Sequence, residues 1–309
     1  MSIVATIFEK SGLMEVFMRC TASAIEPIKR PVKRMLRGNN NHQKSAFVNP
    51  EQIAKLRDAL LNSGVKSGDI VIIHSSLDGL HSLGLPGEKV IELVLDVFSS
   101  CTVVFVTFPI EPRKTKDVYS YDPQKTLCGT GMLPNLFLKF PGVVRSSFPY
   151  NSLAAIGRQA EAMMANDEKS FRPHDHYSAW EYCRQHHAKI LFLGTTSREA
   201  NTMAIHMIPD IMEEAWPIEK WYIKRNYKIK IGETITNRTI EVQDGFWYQY
   251  VNEYKTDKIL RDAGLLRRIG FDDIPLEIVD DSMEMSEFLI ERCRKGNLMY
   301  RIPHKYWRK

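Results

Sequence analysis

Several signatures are missing from this 309-residue chain, and each absence removes a class of function. No GxSxG elbow, HExxH helix or CxxC pair occurs, so the common serine-hydrolase, zinc-peptidase and dithiol arrangements have no support. The segment Gly84-Leu85-Pro86-Gly87-Glu88-Lys89 lacks the spacing of a nucleoside-triphosphate loop, and no GxGxxG stands ready for a dinucleotide. Five cysteines, at 20, 101, 128, 183 and 293, are odd in number and widely spaced, which argues against a disulfide framework. Reduced thiols in a cytoplasmic protein are the expectation. The most apolar stretch, residues 90–110, is broken by Glu92 and Asp96, well short of the ~18 apolar residues of a membrane span. The N-terminus shows no regular signal-peptide pattern either, since Glu9, Lys10 and Glu15 interrupt its short apolar runs.

Composition is otherwise that of a folded chain, 44% hydrophobic and 26% charged. The formal charge is +5, and it is unevenly placed. Residues 1–45 hold eight basic side chains against three acidic ones, a surplus equal to the whole net charge. The last nine residues hold four more basic groups, so residues 46–300 are slightly acidic. Such a body is no nucleic-acid binder. Residues 1–45 read as a basic N-terminal extension. Two roles stay open for it: a solvated or body-packed segment, and a peripheral contact with an anionic membrane surface.

The globular body is expected over residues 46–309. Asn49 and Pro50 mark a helix start, and IAKLRDALLNSG continues it at helical spacing. Residues 69–74, 102–108 and 189–194 are short continuous apolar runs, the pattern of strands covered on both faces. Helical patterns lie between and after them. The order predicts an α/β fold, a central mixed or parallel sheet flanked by helices. Residues 219–250 alternate instead, which predicts a smaller antiparallel lobe over about 215–252 in the C-terminal half. Helices near 253–264 and 282–295 and a strand at 276–279 close the chain.

Ligands of such sheets sit beyond the carboxyl ends of the strands. The segments there are His74-Ser75-Ser76-Leu77, Phe108-Pro109 and Gly194-Thr195-Thr196. Amides and hydroxyls after a strand can hold an anion or a carbonyl oxygen. Arg145 suits a phosphate or carboxylate. His206, on a predicted helix, has Asp210 and Glu213 on its own face, and a carboxylate so placed can orient an imidazole that acts as a base. His174-x-His176 with Asp175 offers a metal set for a hydrolase, against the simpler reading of a solvated loop; no metal is assigned.

Taken in order, these segments resemble the aminoglycoside 3-N-acetyltransferase family over residues 48–295. The matching motifs are His74-Ser75-Ser76-Leu77, Phe108-Pro109, Tyr121-Asp122-Pro123, Gly131-Met132-Leu133-Pro134, the stretch from Pro141 through Arg145-Ser146 to Ser152, and Ile190 to Gly194 followed by Asn201-Thr202 and His206. The resemblance implies transfer of an acetyl group from acetyl-CoA to an amine. It implies a CoA channel lined by His74, Ser75, Ser76, Leu77, Arg145, Ser146 and Ser152, and a catalytic His206. Three departures stand out. The family's Glu three residues after the histidine is Pro209, which leaves Asp210 or Glu213 as the carboxylate. The Thr-to-His spacing is one residue longer, and the family's His-Pro is Phe148-Pro149. These departures favour an amino-sugar acceptor, nucleotide-linked and of polysaccharide biosynthesis, over an antibiotic. An aminoglycoside acetyltransferase and a non-catalytic CoA- or sugar-binding relative are the alternatives. Self-association of the chain is left open.

Overall fold

Asn49 opens the first helix as its sequence predicts. Its side-chain oxygen accepts from the Gln52 amide at 3.1 Å, Pro50 takes the first helical position, and α1 runs Pro50–Leu61 with Leu56 and Leu60 buried. A computed structural model describes residues 47–110, 118–200, 203–270 and 274–308, together with Val16 and Phe17. The rest of the basic extension lies outside the described residues, as do Asn201 and Thr202.

The chain continues through β1 (Ile70–Ser75), α2 (Gly87–Val97), β2 (Thr102–Val106), β3 (Val118–Tyr121) and α3 (Met132–Phe137). Next come β4 (Val144–Arg145), β5 (Leu153–Ile156), α4 (Ala160–Met164), α5 (Ala179–Gln185), β6 (Lys189–Leu193) and α6 (Met203–Met212). It closes with β7 (Tyr222–Ile231), β8 (Thr234–Gln243), α7 (Glu253–Asp262), β9 (Leu266–Arg268), β10 (Leu276–Val279) and α8 (Ser282–Arg294).

Seven strands form one mixed sheet in the order β4-β5-β2-β1-β6-β10-β9. Only the three central strands are parallel: β1 pairs with β2 on one side and β6 on the other, while the flanking pairs are antiparallel. Burial on both faces explains their unbroken apolar runs. One face packs Val71, Ile73, Val103 and Phe105 under α1, α2 and α3; the other packs Ile70, Ile72, Val104 and Ile190 against residues of α5, α6 and α8.

The second sheet has the order β3-β7-β8. Tyr121, Phe148, Tyr227, Ile229, Ile240 and Val242 form its own core. The β7–β8 hairpin is antiparallel as expected, but the lobe is not wholly so and does not come from one stretch of chain: β3, some hundred residues earlier, joins β7 in parallel. Its four residues, VYSY, are half exposed and hold no apolar run to mark them.

At the carboxyl ends of β1 and β6 two backbones nearly touch. The Ser76 amide donates to the Leu193 carbonyl at 3.0 Å, and the chain then turns past Gly194 through a 3₁₀ segment, Asp78–Leu83. A Cβ on Gly79 would lie 1.8 Å from the Gly194 carbonyl oxygen. Backbone cannot yield as a side chain does, so Gly79→Ala is expected to cost about 1–3 kcal/mol, read as a fall of several degrees in thermal midpoint. An unchanged midpoint would refute this close approach.

Candidate active site

Three parallel strands that end side by side leave their following loops to converge. Between those loops lies an open cleft of about 670 Å³. His74, Ser75, Ser76 and Leu77 form one wall, Phe108 lies beyond β2, Thr195, Glu199 and Ala200 follow β6, and Gly129 to Met132 close the opposite side. Four of the seven residues proposed to line a CoA channel therefore meet at one cleft. Asp78 and Glu199 bring carboxylates to it, and neither stood out in the sequence.

His74 and Ser75 have open bonding capacity here. The His74 Nε2 and the Ser75 hydroxyl are both buried without a hydrogen-bond partner. The His74 ring stacks on Phe192 from β6, centroids 5.2 Å apart. Burial pushes its pKa down from the usual 6.5 to about 4, so the ring is neutral around pH 7.

Arg145, Ser146 and Ser152 lie elsewhere. The Arg145 guanidinium donates to the backbone carbonyls of Thr107, Pro123 and Thr126, the first at 2.7 Å. The Ser152 hydroxyl donates to the Thr107 carbonyl at 2.7 Å, and Tyr121 donates to the Ser146 carbonyl at 2.7 Å. None of the three lines the cleft. They tie the ends of β2, β3 and β4 together. A guanidinium among carbonyls reads in sequence like one awaiting an anion, because the carbonyls come from residues 19 to 38 positions away.

The helical face drawn from His206 through Asp210 to Glu213 divides three ways. His206 is buried, with Nδ1 on the Tyr300 hydroxyl and its ring edge-on to Tyr248 at 5.4 Å. Asp210 turns to His174, whose Nδ1 lies 2.9 Å from its Oδ2, and its other oxygen accepts from the Tyr222 hydroxyl. Glu213 is exposed in a 3₁₀ turn after the helix. Tyr300 and Tyr222 are held well above the ordinary phenol range, chiefly by burial, so both remain neutral hydroxyls. His174 is no solvated residue: it is 3% exposed, with Nε2 3.4 Å from the Asn151 amide nitrogen. Among the described residues no three His, Cys, Asp or Glu side chains gather as a metal set.

A family model described as aminoglycoside 3-N-acetyltransferase matches residues 72–291, which takes in the cleft and α6. Aminoglycoside N(3)-acetyltransferase IX of Micromonospora chalcea is 26% identical over 162 residues, 47% of this chain and 57% of that protein, so the chain matches a little over half of that relative's length. Among solved structures, the apoenzyme of aminoglycoside acetyltransferase AAC(3)-IVa superposes with a TM-score of 0.64 at 20% identity, covering 82% of this chain and 92% of its own. AAC-IIIb in a binary complex with CoASH gives 0.64 and 20%, over 82% and 98%. AAC-VIa bound to sisomicin gives 0.64 and 20%, over 83% and 100%. These likenesses bear out the α/β architecture with its smaller second sheet.

The buried imidazole makes stability depend on pH with a definite sign. Between its folded value of about 4 and the unfolded value near 6.5, the unfolded chain binds the extra proton, so acidification through this window destabilises the fold. A His74→Asn variant lacks that proton uptake. Urea unfolding at pH 6.5 and 4.5 is expected to show wild type losing about 2 kcal/mol more than the variant. Equal losses would mean His74 is not held neutral.

Proposed function

The chain belongs to the aminoglycoside 3-N-acetyltransferase family, and we propose that it moves an acetyl group from acetyl-CoA to an amine of an aminoglycoside-type sugar. The observation that carries this reading is the cleft itself. It lies beyond the three parallel strands, inside the family match, and its first wall is the His74 to Leu77 segment. The expected preference for a nucleotide-linked amino sugar gives way to the aminoglycoside alternative, which the family match and the sisomicin-bound neighbour support better. Asp78 and Glu199 on the cleft wall also suit a cationic acceptor.

The reaction begins with a proton, since an ammonium nitrogen has no lone pair. His206 stands where the family resemblance puts the base. Its helix begins three residues after Ala200, which lines the cleft. To accept at Nε2 the ring carries its own proton on Nδ1, and the Tyr300 oxygen accepts that N–H. The freed amine attacks the thioester carbon. The C–N bond forms, the C–S bond breaks, and the second proton of the amine nitrogen passes to the departing CoA thiolate, leaving the amide and CoA thiol. The tyrosine orients the ring as the family's carboxylate would, but as a neutral phenol it gives the imidazolium less support.

A second reading, a CoA- or sugar-binding relative without turnover, draws on Asp210 being engaged by His174 and Tyr222. Thiol release from acetyl-CoA with aminoglycosides and simple amino sugars separates the two. Turnover with an aminoglycoside is expected, and calorimetric binding of CoA without turnover of any amine would favour the binding reading. Replacing His206 by Ala is expected to lower kcat by about 10²-fold or more. A rate near wild type would make His206 structural.

A further inference from the structure

We propose that His74 is an oxyanion donor, its neutral imidazole N–H pointing at the acyl oxygen of a thioester held in the cleft. The assignment rests on the acetyl-CoA reading of that cleft.

Unsatisfied bonding capacity is the first argument. A buried polar atom without a partner costs about 1–3 kcal/mol, so native chains rarely keep one without a use. Among the described residues His74 differs here from the other two buried histidines: His174 bonds Asp210, and His206 bonds Tyr300. The His74 Nε2 is orphaned where the sheet opens into the cleft, and the next residue, Ser75, has an orphaned hydroxyl as well. Ser75 leaves the opposite face of β1, so its hydroxyl is a separate open site, and the His74 nitrogen is the one that calls for a partner from the cleft.

Rigidity is the second. His74 is the last fully buried residue of β1, paired in register with Phe192 and stacked on its ring. A donor held by a sheet ladder on one side and an aromatic face on the other needs no reorganisation when charge appears in front of it.

Protonation is the third, and it selects the role. A ring with a pKa of about 4 is too weak a base to strip an ammonium ion. It does keep one N–H at neutral pH, and a neutral imidazole can polarise a carbonyl. In the step itself the amine nitrogen bonds to the carbonyl carbon while the π electron pair moves to oxygen. That oxygen accepts the His74 N–H. When the pair returns, the C–S bond breaks and the thiolate leaves. His74 keeps its proton throughout; the ammonium proton has already gone to His206, and the second proton of the amine nitrogen leaves with the thiolate as CoA thiol.

The test reads the carbonyl directly and needs no acceptor. Acetyl-CoA carrying ¹³C at the carbonyl is bound to wild type, His74→Ala and His74→Gln, and the isotope-edited infrared band is compared. The assignment expects the lowest frequency in wild type, a rise in His74→Ala, and a partial return in His74→Gln, which keeps a donor. With an acceptor present, His74→Ala should lose about 10²–10³-fold in kcat while the KM for acetyl-CoA moves little. Tight binding with the same band in all three proteins would overturn the assignment and leave the acetyl-CoA reading intact. Failure of wild type to bind acetyl-CoA would remove that reading and the assignment with it. If His74→Ala does not fold, the His74→Gln band against wild type decides: a band unmoved from that of free acetyl-CoA in both refutes the donor.

Discussion

The close passage of Gly79 against Gly194 is the constraint on which the cleft depends. Two parallel neighbours in a sheet finish at the same end, and their outgoing turns compete for one space. Here the competition is resolved by removing side chains, so that the Asp78–Leu83 turn lies directly on the Gly194 backbone. Three loops then converge above β1, β2 and β6. The third of them is fixed from outside as well. The Ser197 amide donates to Glu277 of β10 at 2.9 Å, and Arg261 of α7 binds both Glu277 and Asp257. Buried ion pairs of this kind add little net stability, but once formed they admit few alternative geometries. The wall that carries Thr195 and Glu199 is thereby held by strands and helices that never touch the cleft.

A second economy of the fold concerns Asp210. The family pattern puts a carboxylate beside the catalytic histidine, and this chain has Pro209 in that place. Proline inside α6 removes one helical N–H. The next residue, Asp210, reaches away from His206 and joins a chain of contacts to the small sheet. Tyr222 of β7 donates to it, the Arg172 guanidinium lies over the Tyr222 ring at 4.1 Å, and Arg172 binds Glu241 of β8 at 2.8 Å. The Asp210 carboxylate is thus part of the joint between the lobe and the body. His206 is oriented by Tyr300 instead, and that phenol, held in place by burial, can direct a proton without carrying a charge.

How much of this the residues announce depends on how local the cause is. The helix cap at Asn49 and the doubly covered strands β1, β2 and β6 are legible because neighbours in the chain determine them. The His74 to Leu77 wall is legible for the same reason: it stands where an apolar run ends. β3 and β9 are not, being four and three residues long and formed by pairing with distant partners. Arg145 looks like an anion site and His174 like a solvated loop until distant carbonyls and Asp210 are brought up to them. Glu199 gains its place only when the loop after β6 is fixed by β10. Burial of a polar group is a property of the tertiary fold, and pattern reading along the chain cannot see it.

The charge distribution can now be joined to the chemistry. The body is slightly acidic, and the described cleft wall carries Asp78 and Glu199 with no Lys or Arg among its lining residues. On the proposed reaction an ammonium acceptor is favoured in such a field, whereas the described lining residues offer the phosphates of CoA no counter-charge. The described lining, of amides, hydroxyls and imidazole, suits the uncharged end of the proposed cofactor, the pantetheine arm and its thioester. This division also explains why a neutral His74 is the better partner for the acyl oxygen. A protonated imidazole in the same place would repel a cationic acceptor as it enters the cleft. Keeping the ring uncharged retains the donor and leaves the carboxylates free to draw the acceptor in.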